Sequence, residues 1–247
     1  MIYNYNCISG SKKHILDECI DLIICDPPFG IKESKLKSVY NRKSDKVIKG
    51  YIEAPKDYYK FTTDWMTEAK RILKKDGSMY IISGWTHSDI IGRVIRELKL
   101  CLINKIIWNF PFGIYTSKKF VSSHYEIFYI KKTKGSKPIF NTKCRYQSDK
   151  KIYQDLQSVW KINKENQPGK VKNINKLPEE LVNKMIQYSS NKGNIVCDFF
   201  LGNFTTAIAS KKLGRLAVGF ELNEESFEIG LDKLKKTIRT KNIFEDL

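Results

Sequence analysis

The chain is most constrained by a set of short apolar runs in which apolar and polar residues do not alternate. Leu22-Ile23-Ile24-Cys25, the run inside "SMYIISG" and the run inside "NIVCDFF" are each continuous. A strand with one wet face alternates, whereas an unbroken run of about four to eight apolar residues suits a strand covered on both faces. Between these runs lie helical patterns: "TTDWMTEAKRILKKDG", "SDIIGRVIRELKLC", "LPEELVNKMIQYSSNKG", "TTAIASKKLG" and "NEESFEIGLDKLKKTI". The first has an N-cap at Thr62 or Thr63 and ends before Gly77; the fourth ends before Gly214. Strands that alternate with helices predict an α/β domain with a mostly parallel sheet and helices on both faces. With 247 residues, 41% of them hydrophobic, the chain is long enough for one such domain, 1–247.

The first run leads into Asp26-Pro27-Pro28-Phe29. Neither proline has an N–H for a ladder, so the strand stops there and Asp26 sits at its carboxyl end. Taken alone, this is equally a strand that halts at a proline turn. A second run ends in Asp198. A turn with Gly202 and a helix follow, and the next strand ends in Glu221, 23 residues on. That spacing is near the ~20 residues that precede a ribose-binding acid in a Rossmann-like βαβ unit. Ligands of open parallel sheets bind beyond the carboxyl ends of the strands, so Asp26, Asp198 and Glu221 are expected on one rim. Neither G-x-x-x-x-G-K-[ST] nor G-x-G-x-x-G is present. An adenosine-containing cofactor without phosphates therefore suits the pattern better than NAD or ATP.

The formal net charge is +17, a field that attracts polyanions; a lysine-biased surface would give the same total. Two basic segments lack periodicity. Residues 32–60 form a long polar stretch beside Asp26 with interspersed tyrosines, and 133–174 form a second, candidate nucleic-acid-reading insert. Lys35, Lys37, Tyr40 and Arg42 in the first, Lys143 and Arg145 in the second, and Lys118 and Lys119 between them are the expected nucleic-acid contacts. A solvated surface loop is the plainer reading of either segment. Six cysteines make no CxxC pair and three histidines are scattered, so no metal site is expected. Cys25 and Cys197 read as small buried hydrophobes. The start has no secretion-signal pattern and no apolar stretch approaches the ~20 residues of a membrane span. The expectation is a cytoplasmic protein without a membrane partner.

"DPPF" after a buried strand, followed late in the chain by "DFFLGNFTTA", resembles the S-adenosylmethionine-dependent amino-methyltransferases of DNA bases. The catalytic motif comes first and the cofactor motif last, which is the permuted order of their β group. "ILKKDGSMYII", "IIWNFPFGIYTSKKFVSSHYEIFYIKK" and the stretch from Lys172 to Glu225 resemble further blocks of that family, so the likeness spans most of the chain outside the basic segments.

The resemblance implies the class I methyltransferase architecture and an adenine-N6 activity on double-stranded DNA within a restriction–modification system. Asp26 and the Pro27 carbonyl would accept the two amine hydrogens of a flipped base. Pro28 would stiffen the turn and Phe29 would stack on the ring. Cofactor contacts fall on Asp26, Asn175, Lys176, Asp198, Phe199, Phe200, Gly202, Asn203, Thr205, Thr206, Glu221 and Leu222. The implied partners are DNA, a second copy of the chain and a cognate restriction endonuclease.

The usual cofactor loop reads closer to D-P-F-x-G-S-G-T-T. Here Phe199, Asn203 and Phe204 replace the proline, the serine and the second glycine. Phe204 either narrows the pocket or points into the core. The segment before Asn175 also lacks the family's common H-P-T. The initial Asp of the motif leans to adenine, since cytosine-N4 enzymes more often begin it with Ser. The alternatives are a cytosine-N4 enzyme, an RNA or protein amine methyltransferase, and a catalytically weak DNA-binding subunit that needs a partner.

Overall fold

The computed structural model describes residues 1–29, 55–111, 113, 115, 117–165 and 176–245, with side chains through residue 237. One eight-stranded sheet organises them. Its strands are β1 (Ile2–Asn4), β2 (Ile20–Cys25), β3 (Leu73–Ser83), β4 (Cys101–Asn109), β5 (His124–Lys131), β6 (Val159–Lys161), β7 (Ile195–Asp198) and β8 (Leu216–Glu221). The spatial order is β1-β8-β7-β2-β3-β5-β4-β6. Only β5 runs antiparallel to its neighbours; the other pairings are parallel. Strand order reverses between β7 and β2, because the chain leaves β7 toward β8 and leaves β2 toward β3. Crevices for ligands open at such a reversal.

The unbroken apolar runs are buried on both faces, as their pattern requires. Ile23 and Cys25 face a core with Trp65, Met66, Ala69 and Ile72 of α2 (Tyr58–Ile72) and Ile91, Val94 and Ile95 of α3 (Ser88–Glu97). Leu22 and Ile24 face the opposite core, with Leu181, Val182, Met185 and Ile186 of α5 (Glu179–Ser189). Two short helices, α1 (Cys7–His14) and α4 (Asp149–Asp155), precede β2 and β6. Helix α6 (Thr205–Lys212) follows β7, and α7 (Glu224–Glu245) follows β8. Cys25 and Cys197 are fully buried. Among the described residues no helix is long and apolar enough to cross a membrane, and no cluster of His, Cys, Asp or Glu could hold a metal.

Several boundaries differ from the sequence reading. Helix α2 begins at Tyr58, because the Asp57 carboxyl accepts the Lys60 N–H at 2.8 Å and caps it five residues before Thr62, which lies buried inside the helix. The helix ends at Ile72 rather than before Gly77. Leu73 already pairs with Ile20, and Lys74 reaches the Asp21 carboxylate at 2.7 Å, so "KKDG" belongs to β3. Gly77 is needed there for packing, since a Cβ would sit 2.6 Å from Leu73 Cδ1.

The described part of the second basic segment holds α4 and the edge strand β6. Its hub is Asp155, which accepts hydrogen bonds from Lys184 and Tyr188 at 2.8 and 2.6 Å and pairs with Arg145 at 3.0 Å. Arg145 also pairs with Glu180 at 2.7 Å and donates to the Gln187 side chain, and its side chain is only 12% exposed. Its guanidinium therefore clamps the insert to α5 and is not presented to DNA as expected. Lys35, Lys37, Tyr40, Arg42 and Asn175 lie outside the described residues.

Candidate active site

Three neighbouring parallel strands, β2, β7 and β8, end at one rim. Leu22 is opposite Val196 and Ile23 opposite Cys197, while Asp198 is opposite Gly219. Asp26, Asp198 and Glu221 accordingly emerge side by side. Gly219 permits the close approach, because a Cβ there would stand 2.7 Å from the Asp198 carbonyl oxygen.

Crowding three acids beside a low-dielectric core raises their pKa values. Burial, then the neighbouring Asp198, pushes the Asp26 carboxyl up to about 8, and Lys164 opposes that rise. Asp26 keeps some contact with the cleft although protein surrounds it. Asp198 is only 3% exposed. Burial and, less strongly, Glu221 push it up to about 7. The Phe200 N–H donates to it at 2.9 Å, and the Thr206 hydroxyl also holds it down, though not in regular hydrogen-bond geometry. Burial raises Glu221, while the Gly202 and Asn223 N–H groups, each donating at 2.8 Å, hold its carboxylate in place. Such a cleft favours a ligand rich in hydroxyl donors and carrying positive charge.

The turn after Asp198 is built around positive φ at Gly202 (47°) and Phe204 (63°). The Phe204 ring is fully buried away from the cleft, edge-on to Phe227 at 6.0 Å and packed over Gly230, where a Cβ would fall 2.1 Å from the ring. Of the two expectations for Phe204, the structure adopts the second: the ring points into the core and leaves the cleft open. Phe199 is also a core residue, packed against Trp65 and Phe220. Phe200 is half-buried, edge-on to Trp65 at 5.4 Å. Thr205 and Thr206 open α6 with buried hydroxyls; that of Thr205 has no hydrogen-bond partner, and that of Thr206 faces Asp198 outside regular hydrogen-bond geometry. Buried polar atoms are seldom left so, and hydroxyls at a helix N-terminus suit a ligand carboxylate. The unpartnered Thr205 hydroxyl at the start of α6, with the oriented Glu221 carboxylate, fits an amino-acid-bearing nucleoside. Asn203 is half-buried and Leu222 is 52% exposed at the edge. Lys176 is paired with Glu165 at 2.7 Å.

On the other side of Asp26, Pro27 is buried and Pro28 half-buried. The Phe29 ring lies 5.3 Å from Tyr125 and over Gly84, where a Cβ would meet it at 3.2 Å. Tyr125 is also in contact with Phe110 and Trp108. Phe29 was expected here, whereas Tyr125, Phe110 and Trp108 and the place of Lys164 beside them were not. Their signal was limited to the aromatic ends of β4 and β5, "WNFPF" and "HYEIF", which meet only in the folded sheet. Lys118 and Lys119 are exposed on the loop joining these strands, with the Lys119 ammonium 5.9 Å from the exposed Trp85 ring. Lys143 is exposed as well.

Residues 20–232 match the DNA methylase family N6_N4_Mtase. The chain belongs to this family. It is 30% identical to the type II methyltransferase M.HinfI of Haemophilus influenzae over 249 aligned positions, covering 94% of this chain and 67% of that one. Among solved structures, the M1.HpyAVI complex with S-adenosylmethionine superimposes with a TM-score of 0.69 at 20% identity, covering 95% of this chain and 98% of the other. The cytosine-N4-specific PvuII DNA methyltransferase gives 0.72 at 15% identity, covering 96% and 90%. As a DNA methylase the protein carries the class I methyltransferase sheet, and the fold is shared with a cytosine-N4 enzyme.

Proposed function

We propose that the protein moves a methyl group from S-adenosylmethionine to the exocyclic N6 of an adenine extruded from double-stranded DNA. The observation that carries this reading is the convergence of Asp26, Asp198 and Glu221 on one rim, with Phe29 beside the first of them. Glu221 would hold the ribose hydroxyls, and Thr205 and Thr206 the carboxylate of the methionine moiety. Gly202 would let that moiety approach the backbone. When bound, the cofactor supplies a methyl group activated by its positive sulfur.

The protein's own work is on the base. An aromatic amine delocalises its lone pair into the ring and is a poor nucleophile. Asp26, ionised, and the Pro27 carbonyl would accept its two hydrogens and draw the nitrogen toward a tetrahedral shape. Phe29 would stack on the ring and fix its approach, so catalysis rests mainly on positioning. The surplus amine proton has a ready acceptor in Asp26, whose raised pKa suits it to take one. The initial Asp of the motif favours adenine over cytosine.

A cognate restriction endonuclease, a second copy of the chain and a cytoplasmic location belong to the same proposal. Sequencing DNA from a host that expresses the protein, with detection of modified bases, tests it. N6-methyladenine in one recurring sequence is expected; N4-methylcytosine would reassign the base, and unmodified DNA would overturn the proposal.

A further inference from the structure

Lys164 has no place in the reaction as described, yet the fold holds it firmly at the rim. It lies three residues beyond β6, in a short segment anchored at both ends. On one side the Ile162 carbonyl accepts the Trp108 indole N–H at 2.8 Å, and the Ile162 N–H donates to the Asn109 carbonyl at 3.1 Å. On the other, the Glu165 carboxylate accepts the Lys176 ammonium at 2.7 Å and the Glu179 N–H at 2.6 Å. Between these anchors the Lys164 ammonium lies 3.8 Å from the Phe110 ring centre and 4.5 Å from that of Tyr125. It also donates to the Tyr125 hydroxyl at 3.4 Å. Tyr125 carries Phe29 on its ring at 5.3 Å. A lysine usually leaves its charge in water, because taking it out forfeits hydration. Two aromatic faces partly replace that hydration and fix the charge in one place.

The groups that act on Asp26 come from several elements. Asp198 faces it from β7, and Glu221 acts behind Asp198 from β8. The buried Cys25 precedes it on β2, and the Tyr125 phenol is tied to Lys164. Lys164 reaches this neighbourhood through Tyr125 and Phe29, and its charge opposes the rise that burial and Asp198 impose on Asp26.

We propose that Lys164 is a positioning residue: seated on Phe110 and Tyr125 beside Phe29, its ammonium supplies a positive charge that favours the ionised form of Asp26, the form that accepts a target amine hydrogen. This rests on the proposed methylation reaction. The role acts through Asp26, so removing the charge alters how activity depends on pH rather than activity alone.

The test measures kcat from pH 5.5 to 9.5 for the full chain with saturating S-adenosylmethionine and methylatable plasmid DNA, comparing wild type, Lys164→Met and Lys164→Arg. Loss of the charge is expected to move the acid limb to higher pH, lowering kcat about tenfold at pH 7 with recovery toward wild type by pH 9. Arg is expected to retain the wild-type limb. Cofactor affinity by calorimetry is expected to stay within about threefold for both variants. A uniform loss at every pH, or an unmoved limb in Lys164→Met, overturns the role. If Lys164→Met does not fold, Lys164→Gln serves in its place under the same criteria. A wild type that methylates nothing overturns the reaction itself, whereas an active wild type whose limb ignores residue 164 overturns only this role.

Discussion

Asp26 and Glu221 divide the proposed chemistry between them, and their substitutions should separate it. Asp26→Asn keeps the shape but loses the charge that draws on the amine hydrogens. Transfer is expected to fall at least about 100-fold while calorimetric affinity for S-adenosylmethionine stays within about threefold; equal loss of both would make Asp26 structural. Glu221→Ala removes an oriented acceptor for hydroxyl donors, worth about 1.5–3 kcal/mol. Cofactor affinity should drop about 10–100-fold, and unchanged affinity would remove Glu221 from the site. The raised pKa values also predict how stability depends on pH. Asp26 and Asp198 bind protons in the fold that the unfolded chain releases near pH 4. The stability they contribute is complete below that pH and is lost as pH rises through about 7 and 8. The ligand-free Tm should therefore fall between pH 5 and 8, and less steeply in Asp198→Asn; equal slopes would contradict the assignment. The acids were legible in the sequence because each ends an apolar strand. Tyr125 and Lys164 were not, since nothing along the chain shows which residues of β5 and of the segment after β6 will meet Asp26.

At the scale of the element, the turn into α6 shows a compensated departure from the family pattern. A non-glycine residue at φ 63° costs about 1–2 kcal/mol, which burying a Phe ring offsets by about 1.5–3 kcal/mol. Phe204→Gly should relax the backbone but empty the space over Gly230. The net expectation is a destabilisation of roughly 1–3 kcal/mol in denaturant unfolding, with cofactor affinity unchanged. A tenfold gain in affinity would mean that the ring obstructs the cleft. The sequence could state this choice but not make it, because the partners Gly230 and Phe227 belong to a helix that follows another strand. The same limit applies to α4 and β6, which lack periodicity of their own and are held by contacts across the chain. Asp155→Ala leaves the Lys184 ammonium, 6% exposed, without its carboxylate partner, and should cost about 3–5 kcal/mol. Helix α2 was legible in its apolar face but not in its ends, where the Asp57 cap and the early pairing of Leu73 decide.

For the whole molecule, the excess of positive charge is expected to favour a phosphate backbone. DNA binding should weaken linearly in log–log form with salt, by about 0.9 per phosphate contacted. Glu at both Lys118 and Lys119 should flatten that slope by roughly two, while Arg145→Ala, which breaks an internal clamp, should leave it unchanged and lower the Tm. The α/β class and the common rim could be read from the alternation of runs and the acids that end them. The reversed strand β5 and the edge strand β6 could not, because direction within a sheet is set by which neighbours a strand finds. The proposed transfer requires Asp26 to lie where an extruded adenine meets the methyl donor. The direct measurement is mass spectrometry of nucleosides from plasmid DNA treated with wild type or Asp26→Asn under saturating S-adenosylmethionine. N6-methyldeoxyadenosine is expected from the wild type and essentially none from the variant. Equal amounts from both, or none from a wild type that binds the cofactor, would contradict the proposal.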